Sequence, residues 1–307
     1  MEYIKGTKEF TSSPCVVVLG NFDGIHIGHR KLICKALQLS RELGLKSLVL
    51  TFDPHPSFVL ANKEPVDLIY LRCEKERILK DIDVFVEYPY DLNTAKMTPE
   101  NFVEKVIAGQ LNAKYVVVGK DYRFGHKRKG DIGLLEKLSS IYDYKLVTID
   151  KIEYNGNIVS STWIRKEIKE GNISLANELL GANFSIKGKV VEGKKNGKRF
   201  LYPTANIIPH RYKILPPNGV YYSHIYVNNQ KYHSITNIGI NPTLNGQQKV
   251  VETHILDFDE DIYGETVIVE LIEFIRKEKK FNSIDELKQE ITNNINYVTE
   301  LIRKHED

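Results

Sequence analysis

The run CVVVLGNFDGIHIGHRKLICKALQLSREL, residues 15–43, decides the fold. It opens on CVVVLG (15–20), apolar almost without interruption, as a strand covered on both faces requires. RKLICKALQLSREL (30–43) repeats apolar residues at three- and four-residue intervals, the period of a helix with one buried face. Gly44 stands where it would stop that helix. Between the two lies GNFDGIHIGH (20–29), with glycines at 20, 24 and 28 and histidines at 26 and 29. Glycines at a strand-to-helix turn let backbone N–H groups approach an anion, and the helix start adds partial positive charge. His26 and His29 can donate hydrogen bonds to phosphate oxygens and, if protonated, also offset their charge.

Outward from this stretch the same alternation continues. LKSLVLTF (45–52), VFVEY (84–88), AKYVVVG (113–119) and KLVTID (145–150) read as strands. Helical periodicity fills 27–43, 71–81, 99–110 and 130–142, with Thr98-Pro99 placed to open the third helix. Strand–helix alternation of this length predicts a doubly wound α/β domain with a parallel sheet. After residue 182 the period changes to two, in FSIKGKVVEG (184–193), GVYYSHIYV (219–227), KYHSITNIG (231–239), VVETHILDF (250–258) and TVIVELIEFI (266–275). Turn signals at 196–197, 216–219, 228–229 and 245–246 separate them, as in an antiparallel barrel or sandwich. A last helix opens at Ser283, with Glu286 completing a capping box. The predicted domains are 1–182 and 183–307, joined by two helices within 160–182.

The 307 residues suffice for two cores, and a net charge of +3 from 43 basic and 40 acidic residues is near balance. Bulk nucleic acid is therefore not the expected partner. Cys15, Cys34 and Cys73 show neither disulfide nor zinc spacing. MEYIKGTKEF (1–10) lacks an apolar signal core, and no apolar run approaches the roughly 20 residues needed to span a bilayer. The expectation is a reduced, cytoplasmic protein without a membrane segment; a homo-oligomer is compatible with this composition.

Further chemistry-bearing stretches fall at strand ends. TFDPHP (51–56) brings Asp53 and His55 to the sheet edge where open α/β proteins bind ligands. GKDYRFGHKRKGD (119–131) carries Arg123, Lys127, Arg128 and Lys129, a candidate phosphate clamp, and SSTWIR (160–165) starts a helix with Ser161, Thr162 and Arg165. In the second half, YPTAN (202–206) puts Thr204 and Asn206 on one face of an extended segment, where their oxygens could share Mg2+ with nucleotide phosphates. GKVVEGKKNGK (188–198) could fold over a phosphate chain, and Glu252 could serve as a general base. Each stretch also has a plain structural reading: a turn with incidental histidines, a solvated charge run, an N-cap, a strand entrance, a hairpin tip, an exposed strand residue.

Taken together and in order, these stretches resemble the bacterial bifunctional riboflavin kinase/FAD synthetases over essentially the whole chain. GNFDGIHIGH, the FDPHP stretch, the GKDYRFG loop and the SSTWIR helix start match the family's nucleotidyltransferase module, a Rossmann-like fold. The resemblance implies transfer of AMP from ATP to FMN, giving FAD and pyrophosphate. It implies that His26 and His29 bind the ATP phosphates and stabilise the transition state, with Gly20, Gly28, Ser161, Thr162 and Arg165 on the same phosphates. Asn21, Asp23 and Asp121 would fix the nucleotide and its metal-bearing phosphates, and Asp53, His55, Arg123 and Arg128 would lie toward FMN. The PTAN stretch, the GKVVEG loop, the NPT turn and the glutamate before DFDEDIYGE resemble the riboflavin kinase module. By that resemblance Thr204 and Asn206 hold Mg2+, and Glu252 takes the proton of the attacking ribityl hydroxyl of riboflavin. Gly188, Lys189, Gly193, Lys198 and Pro203 would contact ATP phosphates, and Asn241, Thr243 and Arg276 would lie near the flavin. One departure stands out: Leu201 occupies the position of a family glycine in Phe200-Leu201-Tyr202. Two other readings compete, an FMN adenylyltransferase with a barrel that only binds flavin, and a flavin- or nucleotide-responsive protein whose loop 126–129 touches RNA.

Overall fold

Residues 15–19 bury their side chains alternately on two faces of a sheet, and that alternation organises the first half of the molecule. In the computed structural model, which describes residues 1–60, 67–192, 203–243 and 246–306, strand β2 (Cys15–Leu19) lies at the centre of a six-stranded sheet. Val16 and Val18 face one layer; Cys15, Val17 and Leu19 face the other. The sheet comprises β1 (Glu2–Lys5), β2, β3 (Lys46–Asp53), β4 (Val84–Pro89), β5 (Ala113–Gly119) and β6 (Lys145–Ile149), all pairing in parallel. Their order is β1-β4-β3-β2-β5-β6. The chain thus winds from β2 toward β4 and then reverses through β5 and β6, which makes the β2/β5 junction the switch point where such sheets bind ligands.

Helix α1 (Ile27–Leu43) and helix α2 (Arg72–Ile78) are on the Val16/Val18 side, where Leu32, Ile33, Ala36 and Ile78 meet Val49 and Phe85. Gly44 ends α1 at φ 65°, its N–H reaching Ser40 O, a left-handed cap that glycine takes without strain. After the short α3 (Leu92–Lys96), the chain enters α4 at Pro99, capped by the Thr98 side chain. From Phe102 to Gln110 this helix continues in the wider π winding, and it closes with the Leu111 N–H on Val106 O. Its side chains and those of α5 (Ile132–Tyr142) cover the opposite face. Edge strand β1 was absent from the expectation because EYIK (2–5) is short and half polar; Tyr3 seats it by stacking on Phe85 at 5.5 Å. A two-stranded hairpin, β7 (Glu153–Tyr154) with β8 (Asn157–Ile158), follows β6.

Helices α6 (Ser161–Glu170) and α7 (Ile173–Leu180) then precede a closed antiparallel barrel. Its strands are β9 (Phe184–Val191), β10 (Thr204–Ile207), β11 (Gly219–Val227), β12 (Gln230–Thr243), β13 (Gly246–Ile255) and β14 (Thr266–Lys277), ordered β10-β13-β12-β11-β14-β9. Phe184, Ile186, Ile207, Ile238, Val251, Val267, Val269 and Leu271 are buried at alternate positions along their strands, as a filled barrel interior requires. A hydroxyl chain shares that alternation: Ser223 meets Ser234 at 2.8 Å and Thr236 at 2.7 Å, and Thr236 meets Thr253 at 2.9 Å. Helix α8 (Ile284–Glu306) covers Val220, Tyr222 and Ile235 with Ile295, Val298 and Leu301. The expected capping box is present in modified form: Ser283 Oγ accepts the Glu286 N–H at 3.1 Å, while Glu286 reaches back to the Asn282 N–H at 2.9 Å.

The chain divides into two compact units, Met1–Leu68 with Lys75–Ser161, and Ile69–Glu74 with Thr162–Asp307. Segment 69–74 enters the second unit through a buried ion pair. Lys213 Nζ meets Glu74 Oε2 at 2.8 Å and Oε1 at 3.0 Å, and it also donates to Ile69 O at 2.7 Å.

Candidate active sites

The turn between β2 and α1 is strained. Phe22 and Ile25 have φ of 45° and 37°, a region costly for side-chain-bearing residues and most of all for a β-branched one, and Gly24 sits at 91°. Its backbone is pinned where it bends. Asn21 O accepts from Thr51 Oγ1 at 2.8 Å, and Asp23 O accepts from Ser161 Oγ at 2.5 Å. The turn delivers His26 to the N-cap of α1, where its Nδ1 accepts the His29 N–H at 3.4 Å. In the neutral ring this puts the proton on Nε2, which becomes the free donor. The two imidazoles stack at 3.7 Å between centroids. A Cβ at position 28 would come within 3.1 Å of the His26 ring, which accounts for glycine between the histidines.

Burial drives the His26 pKa down to about 4, against a partial lift from Asp23. The His29 pKa is held well below its ordinary value, first by burial and then by the nearby His26 and Lys75. Both rings are therefore neutral at pH 7 in this structure, so what they can offer a ligand is an N–H donor rather than a cation. His29 Nδ1 is buried without a hydrogen-bond partner.

A cavity of about 560 Å³ opens over this turn. Of the residues singled out from sequence, Gly20, Asn21, His26, Gly28, His29, His55, Asp121, Arg123, Arg128 and Ser161 line it. Phe52, Tyr90, Phe102, Tyr122 and Phe124 form an aromatic wall to which sequence reasoning assigned no role: Phe52, Tyr122 and Phe124 stand inside stretches singled out for their polar residues, and Tyr90 and Phe102 lie outside them. Asp23 is 2% exposed and does not line the cavity. Asp53 does not line the cavity; its carboxylate pairs with Lys5 at 3.5 Å. His55 is engaged locally, its Nδ1 2.9 Å from Ser57 Oγ. Arg123 is held by Asp131 at 2.9 Å and Asp121 by Lys151 at 3.1 Å, so an incoming phosphate must compete with Asp131 for Arg123. Thr162 and Arg165 sit in the first turns of α6, within the second compact unit.

The second constellation lies on one face of the barrel strands. In register, Asn206 faces Glu252, and Glu252 in turn faces Asn237. Thr204 shares the face with Asn206, whose amide donates to Thr204 O at 3.1 Å and approaches Oγ1 at 3.4 Å. Asn237 is the member of this row that sequence reasoning missed; only strand register reveals it. The donor set of Thr204 and Asn206, a hydroxyl and an amide oxygen, is hard and uncharged, and suits Mg2+ arriving with phosphates rather than a bare ion. Among the described residues no cluster of three or more His, Cys, Asp or Glu side chains could hold a metal by itself. Gly188 has a steric role: a Cβ there would lie 2.2 Å from Ile207 Cγ2. Lys189 pairs in register with Thr266, and Pro203 O meets a His254 ring nitrogen at 3.0 Å. Arg276 is tied to α8, bonding Asn294 Oδ1 at 3.1 Å and Glu290 at 2.9 Å. Asn241 and Thr243 fall in the β12/β13 hairpin, opposite Gln248 and Gly246. Gly193, Lys198 and the Leu201 departure lie outside the described residues.

A parallel α/β unit with a histidine-bearing turn at its switch point, followed by a closed barrel with its own Thr/Asn/Glu row, is the architecture of a nucleotide-handling transferase, and the comparisons with known proteins agree with that class. Residues 8–163 match the FAD synthetase family model and residues 180–302 the riboflavin kinase model. The bifunctional riboflavin kinase/FMN adenylyltransferase of Escherichia coli (strain K12) is 36% identical, with 95% of each chain covered. The Bacillus subtilis protein of the same name is 37% identical over 90% of this chain and 89% of its own. A solved structure described as a macrolide-efflux protein from Streptococcus pneumoniae superposes with a TM-score of 0.86 at 33% identity, covering 97% of this chain and 98% of that one. Among the described residues no helix is long and apolar enough to cross a membrane. The chain belongs to the family of bifunctional riboflavin kinase/FMN adenylyltransferases.

Proposed function

We propose that this chain builds FAD from riboflavin in two ATP-dependent steps at two separate sites. The observation that carries the reading is the pair of independent polar constellations: His26 and His29 over a cavity in one unit, and the in-register Asn206/Glu252 pair in the other. Phosphorylation is assigned to residues 183–307 and adenylyl transfer to 1–182.

In the first step the ribityl hydroxyl of riboflavin attacks the γ-phosphorus of ATP. An O–P bond forms, the bond to the β-phosphate oxygen breaks, and ADP leaves with FMN as product. Glu252 accepts the hydroxyl proton. Thr204 and Asn206 would hold Mg2+, which when bound spreads the charge of the phosphate chain. In the second step a phosphate oxygen of FMN attacks the α-phosphorus of ATP, and pyrophosphate departs. The nucleophile is supplied by the substrate, so the protein's task is positioning and charge stabilisation. The neutral His26 donates from Nε2–H to a phosphate oxygen, beside the start of α1. Ser161 adds to the phosphate contacts, Arg123 and Arg128 approach FMN, and the aromatic wall offers a seat for a flat ring. The partners are these small molecules, and a reduced cytoplasm is the setting that this reading assigns to the chain.

Incubating purified protein with riboflavin, ATP and Mg2+ and separating the flavins tests the proposal. FMN followed by FAD is expected. FAD formed only from added FMN would remove the kinase step, and no conversion of either flavin would remove both.

A further inference from the structure

Lys75 is a charged side chain that the mechanism above leaves unused. It lies in α2 and is only 7% exposed. Its ammonium reaches the Asn21 carbonyl at 3.4 Å, the same oxygen that accepts from Thr51 Oγ1 at 2.8 Å. Burial pulls the Lys75 pKa down, and Asp23, Glu87 and Asp53 act against that pull; Asp23 and Glu87 are themselves only 2% and 3% exposed. Glu87 is itself fixed by the Tyr3 hydroxyl. An ammonium is kept out of water only where acceptors and opposite charge surround it, so a lysine this deep is a committed part of its surroundings.

Those surroundings are the turn that presents the histidines. Phe22 and Ile25 hold left-handed φ values, and residues in such regions persist only when neighbouring groups over-determine them. Two side chains grip the carbonyl that opens the turn, Thr51 and Lys75, and one grips Asp23 O nearer its end, Ser161. We propose that Lys75 is a positioning residue for adenylyl transfer, acting through the Gly20–His26 turn; the inference rests on the adenylyl reading of that turn. Lys75 does not line the cavity, so it acts without touching substrate. Its loss lets the turn relax, and His26 drifts from the place where the phosphate oxygen needs a donor. Misplacement on the order of 1 Å costs about 100-fold in rate. The ground-state contacts of ATP and FMN along the cavity are left in place, so the loss falls on kcat rather than on KM.

The test is steady-state kinetics on the full chain and on Lys75→Met and Thr51→Val, following FAD from FMN and, separately, FMN from riboflavin. For Lys75→Met the expected result is a kcat for FAD formation lowered about 10- to 100-fold, with both KM values within about threefold. Riboflavin phosphorylation by the same preparation stays within about twofold, because it depends on the other unit. Thr51→Val moves the same constants in the same direction by a smaller factor. Near-normal kcat in Lys75→Met overturns the inference, as does a raised KM with kcat unchanged or an equal loss of both activities. If Lys75→Met does not fold, Thr51→Val decides: a selective fall in kcat sustains the inference and its absence ends it. Unmodified protein that makes no FAD from FMN defeats the adenylyl reading itself, whereas normal FAD formation with unaffected variants defeats only the role of Lys75.

Discussion

His26 and His29 are stacked and neutral, His26 buried and His29 half-buried, and that state sets what can be expected of single substitutions around them. Gly28→Ala places a methyl within 3.1 Å of the His26 ring. The imidazole must shift by a few tenths of an ångström, so FAD formation should fall about tenfold while the fold persists; kinetics beside a circular dichroism spectrum checks it. Acid has a separate effect on stability. The folded-state pKa of His26 is about 4 against an ordinary 6.5, so between these values the unfolded chain binds a proton that the folded chain refuses. Stability is therefore full above about pH 6.5 and declines as pH falls toward 4. His224, also pushed to about 4 by burial, Lys231 and His233, adds to the same slope. Urea midpoints should drop between about pH 7 and pH 5, and His26→Gln should flatten the trend; a midpoint independent of pH would contradict it.

At the scale of elements, register and close approach matter more than residue type. Gly188→Ala in β9 would drive a Cβ to 2.2 Å from Ile207 Cγ2 in β10. Overpacking of this kind costs about 1–3 kcal/mol. A lowered melting temperature is expected, with partial recovery when Ile207→Ala is added; additive losses would show that the two positions do not interact. Glycine at 188 reads equally well from sequence as part of a phosphate loop, and only the crossing of β9 over Ile207 reveals the steric demand. The α/β half was legible because its strands are continuous apolar runs and its helices carry clear caps at Thr98 and Gly44. Strand β1 was not, being short, charged at both ends and held by its pairing with β4. The π winding after Phe102 leaves no mark on an apolar pattern that suits either helix. Thr204, Asn206 and Glu252 could be named from sequence, but their alignment, and the addition of Asn237, comes from strand pairing across three strands.

For the whole molecule, the main feature hidden from sequence is that Ile69–Glu74 packs with the second compact unit. No periodicity announces it, because the ties join residues far apart in sequence: Glu74 with Lys213, 139 positions away, and with the Lys187 N–H at 3.0 Å, and Ile69 O with Lys213. Glu74→Gln should destabilise the protein by about 3–5 kcal/mol, since it leaves the Lys213 charge buried without its carboxylate; a denaturant titration reads this directly. The central claim is that two sites in one chain work independently on two phosphate chains. His29→Ala should still convert riboflavin to FMN but stop there. Glu252→Ala should fail on riboflavin yet convert FMN to FAD, with the lost step reduced about 100-fold or more in each variant. The most direct measurement is therefore FAD formation from riboflavin by the two variants, each alone and then mixed in equal amounts. The mixture should produce FAD where neither variant alone does; a mixture as inactive as its parts, with both activities gone from either variant in folded form, would contradict the account.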